Sequence, residues 1–193
     1  MQKEEVKIFY PESPAAWRTW LEQNHQSGEA VWVVFYMKSS GKPTLSWSEA
    51  VDVALCFGWI DSKKVKAGPD SSHQLFTKRK AKSTWSKINK AKVAELIDKD
   101  LMTEAGHRII EIAKQNGSWT MLDEVEELIV PEDLARALRS KPNACDFFHA
   151  LSKSTRKAIL QWIVLARREE TRTKRINEIA ECASQKQRPK HLQ

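Results

Sequence analysis

The chain has 193 residues, 30% of them charged and 41% hydrophobic, with a net charge of +7 and eight tryptophans against two tyrosines. A chain of this length buries roughly 70% of its unfolded surface on folding, and the composition is that of a folded chain rather than a disordered one. No apolar run approaches the ~20 residues of a membrane span, Met1 to Glu5 lacks a signal-peptide core, and Cys56, Cys145 and Cys182 show neither metal-ligand nor disulfide-scaffold spacing, so a reduced, cytoplasmic setting without membrane insertion is expected.

Ser13 followed by Pro14 predicts a helix start, because serine caps free amides and proline is harmless at the first helical position. Trp17, Trp20 and Leu21 share one face of that helix. Residues 31–37 are apolar on both alternating faces, which predicts a strand covered on both sides, and residues 39–43 form a turn. Ser46 and Glu49 fit a capping box ahead of a stripe made by Ala50, Val51, Ala54 and Leu55, with Trp47 also placed inward and Gly58 closing the helix. Two short β stretches are expected near residues 63–66 and 74–77, on either side of the Gly68-Pro69-Asp70 turn.

From Ser86 onward the pattern is helical. Ile88, Val93, Leu96 and Ile97 are assigned inward on one helix, and Thr103 caps the next, which carries Ile109, Ile110 and Ala113 and ends near Gly117. Pro131 opens a further helix with Glu132 and Asp133 in its first turn, where the helix dipole favours acids. Pro142 opens a short helix bearing Phe147 and Phe148, Ser154 caps a longer one with Ile159, Trp162 and Ile163, and Thr171 restarts or continues it. The expected architecture is α+β: a small antiparallel sheet packed by helices in a domain over residues 1–118, then an all-helical portion over residues 119–193.

The modest net charge hides strong segregation. Residues 63–92 carry ten basic and one acidic side chain, and residues 151–193 carry eleven and four, while the intervening and leading segments are net acidic. Such segments govern attraction to anionic partners more than the total does.

Several blocks occur in order along the chain. They are Trp17-Arg18-x-Trp20-Leu21, Val31-Trp32, the run from Ala50 to Ser62 that includes Gly58-Trp59-Ile60-Asp61, and Phe76-Thr77-x-Arg79-Lys80-x-x-Ser83-x-Trp85-Ser86-x-x-Asn89. Thr171-Arg172-x-x-Arg175-Ile176 follows near the end. On these residues the chain resembles the bacteriocin-protection, YdeI/OmpD-associated (OmdA) family of bacterial proteins, roughly from Phe9 to Ile179. The resemblance implies a bacterial stress or bacteriocin-protection role, and the C-terminal helices fall where such proteins carry the segment that defines the family. It implies no reaction, no cofactor and no active site.

The residues themselves carry no phosphate loop, nucleophile elbow, His-Glu-x-x-His or dinucleotide glycine motif, and the histidines are scattered. No catalytic residue, metal or cofactor is therefore assigned. The strongest ligand-binding candidates are Trp59, Asp61, Arg79, Ser83, Trp85, Ser86 and Asn89. With Asp61 ending a helix-turn and paired to Arg79 beside two indoles, they would suit a planar or anionic ligand. The competing reading makes both indoles core, Asp61 a turn cap, and Ser83 or Ser86 a helix cap.

Arg172 and Arg175, in a basic C-terminal run, either reach back to Asp61 or Asp52, or share an anion site with Arg79, or form a solvated helix exterior. The run Lys78, Arg79, Lys80, Lys82 and Lys87, with Trp85 as a stacking surface, is the alternative nucleic-acid interface. The leading expectation is a protein that works by binding a small anionic or planar ligand or a protein partner. The alternatives are a nucleic-acid module, or an enzyme on a small anionic substrate with Asp61 as its acid–base group.

Overall fold

A computed structural model describes residues 6–28 and 30–192 and divides the chain into two compact units, Met1–Trp119 and Thr120–Gln193. The first unit holds β1 (Ile8–Phe9), α1 (Pro14–Asn24), β2 (Ala30–Tyr36), α2 (Trp47–Cys56), β3 (Trp59–Lys66), β4 (Ser71–Lys78), α3 (Lys87–Asp98) and α4 (Glu104–Gln115). The second holds α5 (Asp123–Glu126), α6 (Glu132–Arg139), α7 (Ala144–Ala150), α8 (Lys153–Val164) and α9 (Glu169–Ser184). The α+β class and the helical C-terminal region agree with expectation.

The sheet order is β1-β2-β4-β3. β4 runs antiparallel to both neighbours, but β1 runs parallel to β2, so the sheet is mixed rather than antiparallel throughout. The hairpin arms are also longer than the local pattern predicts. Gly58, at φ +70°, ends α2 and reverses the chain at once, so β3 already begins at Trp59. Asp61 therefore lies within a strand, opposite Phe76, and does not end a helix-turn.

The core of this unit is aromatic. Trp17, Trp59, Phe76 and Trp85 are buried with Leu21, Val31, Val33, Ala54 and Leu55. Trp17 stacks on Trp20 at 5.2 Å and meets Phe76 edge-on at 5.4 Å, while Trp20 meets Trp59 edge-on at 6.0 Å. Buried indoles need acceptors. Trp17 Nε1 donates to the Ala50 carbonyl at 3.0 Å and Trp59 Nε1 to the His25 carbonyl at 3.3 Å.

Three inward assignments fail. Trp47 is 51% exposed, because it stands ahead of the apolar stripe at the first helical position, and its Nε1 donates to Asp61 at 3.0 Å. Ile88 is 66% exposed, since five residues before buried Val93 falls on the opposite side of a helix. Ile97 is exposed in the last turn of the same helix.

In the second unit α9 packs on α6, α7 and α8. Its core includes Leu134, Leu138, Phe148, Ile159, Leu160, Ile163, Ile176 and Ile179. Ser152, not Ser154, caps α8, accepting from the Thr155 amide at 3.2 Å, because extended Leu151 ends α7 and leaves Ser152 as the first residue able to cap. A separate α9 begins at Glu169, ahead of Thr171.

One close approach is decisive for unit one. Gly106 sits so near the end of α2 that a Cβ there would lie 2.4 Å from the Cys56 carbonyl oxygen. Gly106→Ala is expected to lower stability by about 2 kcal/mol or more, as overpacking against backbone does. Ser46→Ala, which dismantles the capping box with Glu49, should cost about 1 kcal/mol. Urea unfolding followed by tryptophan fluorescence measures both.

Candidate functional site

The last turn of α2 organises the neighbouring elements. The Cys56 carbonyl accepts from both the amide and the hydroxyl of Thr103, at 3.1 and 2.6 Å, which ties the start of α4 to the end of α2. The Gly58 carbonyl accepts from the Arg79 amide at 2.9 Å, which fixes the end of β4 beside the same turn. Between these elements and the C-terminal end of α1 lies a cleft of about 820 Å³. Its walls are Glu22 in the last turn of α1, with His25 and Gln26 just after it; Phe57, Gly58 and Trp59 at the turn; Lys78 and Arg79 at the end of β4; and Thr103, the cap of α4, with Glu104, Ala105, Arg108, Ile109 and Ile112 from that helix. That volume lies within the range of small-molecule sites.

Arg79 is the unusual member. It is only 7% exposed, and its guanidinium carbon stands 3.7 Å over the Trp85 ring. Nη1 donates to the Thr84 carbonyl at 3.1 Å, whereas Nε is buried with no acceptor. Burial pushes its pKa down to about 10, partly opposed by the charge of Asp61. The expected Asp61–Arg79 ion pair does not form. Asp61 Oδ2 accepts instead from Trp47 Nε1 and, at 3.1 Å, from Gln74 Nε2. Among the described residues, no carboxylate lies within ion-pair distance of Arg79. A buried cation normally demands such a partner, because desolvation costs several kcal/mol.

The other candidates divide. Trp59, Lys78 and Arg79 line the cleft, and Trp85 supports Arg79 from behind. Neither indole offers a free face: both are buried, and Trp85 also packs on Trp119 at 4.9 Å. Ser86 accepts from the Asn89 amide at 3.2 Å and caps α3, while the Ser83 amide donates to the Lys80 carbonyl in a turn. Neither these residues nor Asp61 lines the cleft.

In the second unit Arg172 makes two hydrogen bonds to Asp133, at 2.7 and 3.0 Å. Arg175 lies over the Trp162 ring at 4.9 Å and donates to the Trp162 carbonyl. Each of these arginines, and each of Asp52 and Asp61, has partners within its own unit. Asp52 pairs with Lys92 at 2.5 Å, and Asp61 is held as described. For a nucleic-acid interface, Lys80, Lys82 and Lys87 are exposed, but buried Trp85 presents no stacking surface, and Lys78 Nζ donates to the Gln26 carbonyl at 2.6 Å.

Cys56 is buried and burial raises its pKa, which keeps the thiol protonated. Among the described residues no group of three or more His, Cys, Asp or Glu is placed to hold a metal ion, and no helix is long and apolar enough to cross a membrane.

Sequence reasoning did not include His25, Thr103, Glu104 or Arg108 in the site. Thr103 was legible as a cap, but its position at the cleft follows from docking onto α2, which no local pattern encodes.

Two family models match the chain. Residues 9–109 match a domain of unknown function, DUF8412, and residues 127–186 match the family described as bacteriocin-protection, YdeI or OmpD-associated. No curated protein and no solved structure matches.

The Arg172–Asp133 pair yields a pH dependence. Hydrogen bonds from Arg172 hold the Asp133 carboxyl below its ordinary value. Its contribution to stability is present above the ordinary carboxylate range and lost as pH falls through the depressed native value. Asp133→Asn should lower stability at neutral pH by less than about 1 kcal/mol, the range for a partly exposed pair. The loss should be smaller at pH 2 than at pH 7, as measured by urea unfolding at the two pH values.

Proposed function

For a chain that belongs to the DUF8412 domain family and carries the bacteriocin-protection, YdeI or OmpD-associated segment, we propose a cytoplasmic protein that works by binding a small anionic ligand in its first unit. The second family match fits a bacteriocin-protection or stress-type role. The observation that carries the ligand reading is Arg79: a side chain nine-tenths buried at the wall of a ligand-sized cleft, with no carboxylate in ion-pair contact among the described residues. An anion entering the cleft supplies the missing countercharge, and does so in a partly desolvated setting where a charge-assisted hydrogen bond is strong.

Binding is favoured over catalysis because Asp61, the one acid–base group assigned near Arg79, is engaged by Trp47 and Gln74 and stands outside the cleft. It is favoured over nucleic-acid recognition because Trp85, the indole within the basic run, is buried and presents no face on which a base could stack.

Thermal unfolding in the presence of a panel of small anions tests this. At least one of phosphate, adenosine monophosphate, octanoate or phenylacetate should raise the unfolding midpoint of the wild type by several degrees. Arg79→Met should abolish that shift. The same variant, without ligand, should be as stable as the wild type or more so, since an apolar side chain of similar length removes an uncompensated buried charge. A ligand-free Arg79→Met protein destabilised by more than about 2 kcal/mol, with anion shifts intact, assigns Arg79 to the fold alone.

A further inference from the structure

The chemistry of the cleft walls narrows the anion to one class. The cationic side is small. Its buried part consists of the Arg79 guanidinium and the first turn of the 12-residue helix α4. In that turn the Thr103 hydroxyl takes the Gly106 amide, at 3.5 Å, while the amides of Glu104 and Ala105 have no acceptor among the described residues. A helix start of this kind carries a partial positive charge, and Arg79 is the buried, incompletely bonded side chain at the same wall.

The lining also carries apolar side chains, Phe57 beside the α2 turn and Ile109 and Ile112 further along α4. The charged lining is nearly balanced. Lys78 and Arg108 add exposed cations, but Glu104 and Glu22 add two carboxylates, of which Glu22 is paired with Arg18 at 3.3 Å. A phosphate dianion would add two charges to a lining that already holds the carboxylates of Glu22 and Glu104, and no glycine-rich loop is present to supply backbone donors to its oxygens. A carboxylate brings one charge, accepts from the edge of a planar guanidinium, and leaves an apolar body to cover the hydrophobic lining.

Building on the anion-binding reading above, we infer that the ligand is a monocarboxylate with an apolar body, an aliphatic or aromatic acid. Its carboxylate sits on Arg79 at the start of α4, and its body lies against Phe57, Ile109 and Ile112. The exposed Arg108 and Lys78 steer it in and Glu104 turns away more highly charged anions.

Isothermal titration of the full chain at fixed ionic strength, with octanoate, octanol, inorganic phosphate and adenosine monophosphate as probes, tests the inference. Octanoate should bind about tenfold or more tightly than phosphate, the nucleotide or octanol. Arg79→Met should lose octanoate and leave the weak octanol signal unchanged. Ile112→Ser, at a half-buried wall position, should weaken octanoate about fivefold or more without altering phosphate. Circular dichroism confirms that each variant is folded. Phosphate or nucleotide binding tighter than octanoate, and lost in Arg79→Met, overturns the carboxylate assignment while the anion site stands. Octanoate binding that survives Arg79→Met also overturns it, leaving an apolar groove. No binding by any anion overturns both readings.

Discussion

The carbonyl of Cys56, at the end of α2, accepts from the backbone and the side chain of Thr103, and the cleft depends on this junction. It brings the start of α4 against the end of α2, and Gly106 permits the approach because any Cβ would strike the same carbonyl. Two residues on, Gly58 reverses the chain into β3 and receives the Arg79 amide. One turn of backbone thus sets the position of the helix start, the buried arginine and the apolar wall. A side chain at Gly58 would also press on the Ala105 carbonyl and on Ile109, so the two glycines act on one packing contact from opposite sides.

Arg79 is where the energetics of this arrangement concentrate. Stacking on an indole offsets part of the cost of a buried guanidinium, on the order of 2 kcal/mol when desolvated, and the Thr84 carbonyl offsets a further part. Asp61 lowers the electrostatic potential around it without touching it. A fold selected for stability alone would place a carboxylate at contact or an apolar side chain in the same volume. An arginine kept at a cleft wall without a carboxylate in contact is the feature on which the proposed anion site rests.

Much of the fold was legible because it rests on local chemistry. The caps at Ser13, Ser46, Ser86 and Thr103 each depend on one hydroxyl and an amide three residues on, and all four are formed. The failures are those in which a competing local signal or a distant partner decides. Ser152 and Ser154 are both competent caps, and the extended Leu151 chooses between them. Trp47 looks apolar in a helix, yet its indole is drawn to Asp61 on a strand fourteen residues away. The candidate site was half legible for the same reason. The block from Trp59 to Arg79 carries its polar residues in plain view, but the hairpin sends Asp61 and Arg79 to different surroundings, and the cleft is completed by α1 and α4.

The basic segment over residues 63–92 illustrates how a charge run can mislead about function. Lys63, Lys64 and Lys66 lie exposed on β3, the edge strand of the sheet, where lysines prevent pairing with other chains. Lys78 closes onto the end of α1 through the Gln26 carbonyl, and Lys92 is bound to Asp52 and Ser48 on α2. Those five cations serve an edge and two junctions, and none needs an anionic polymer to account for it. Arg79 differs in kind, because it is buried and one of its donors, Nε, has no acceptor. The density of positive charge along the sequence is therefore a weaker guide to ligand chemistry than a buried arginine at a cleft wall with no carboxylate in ion-pair contact.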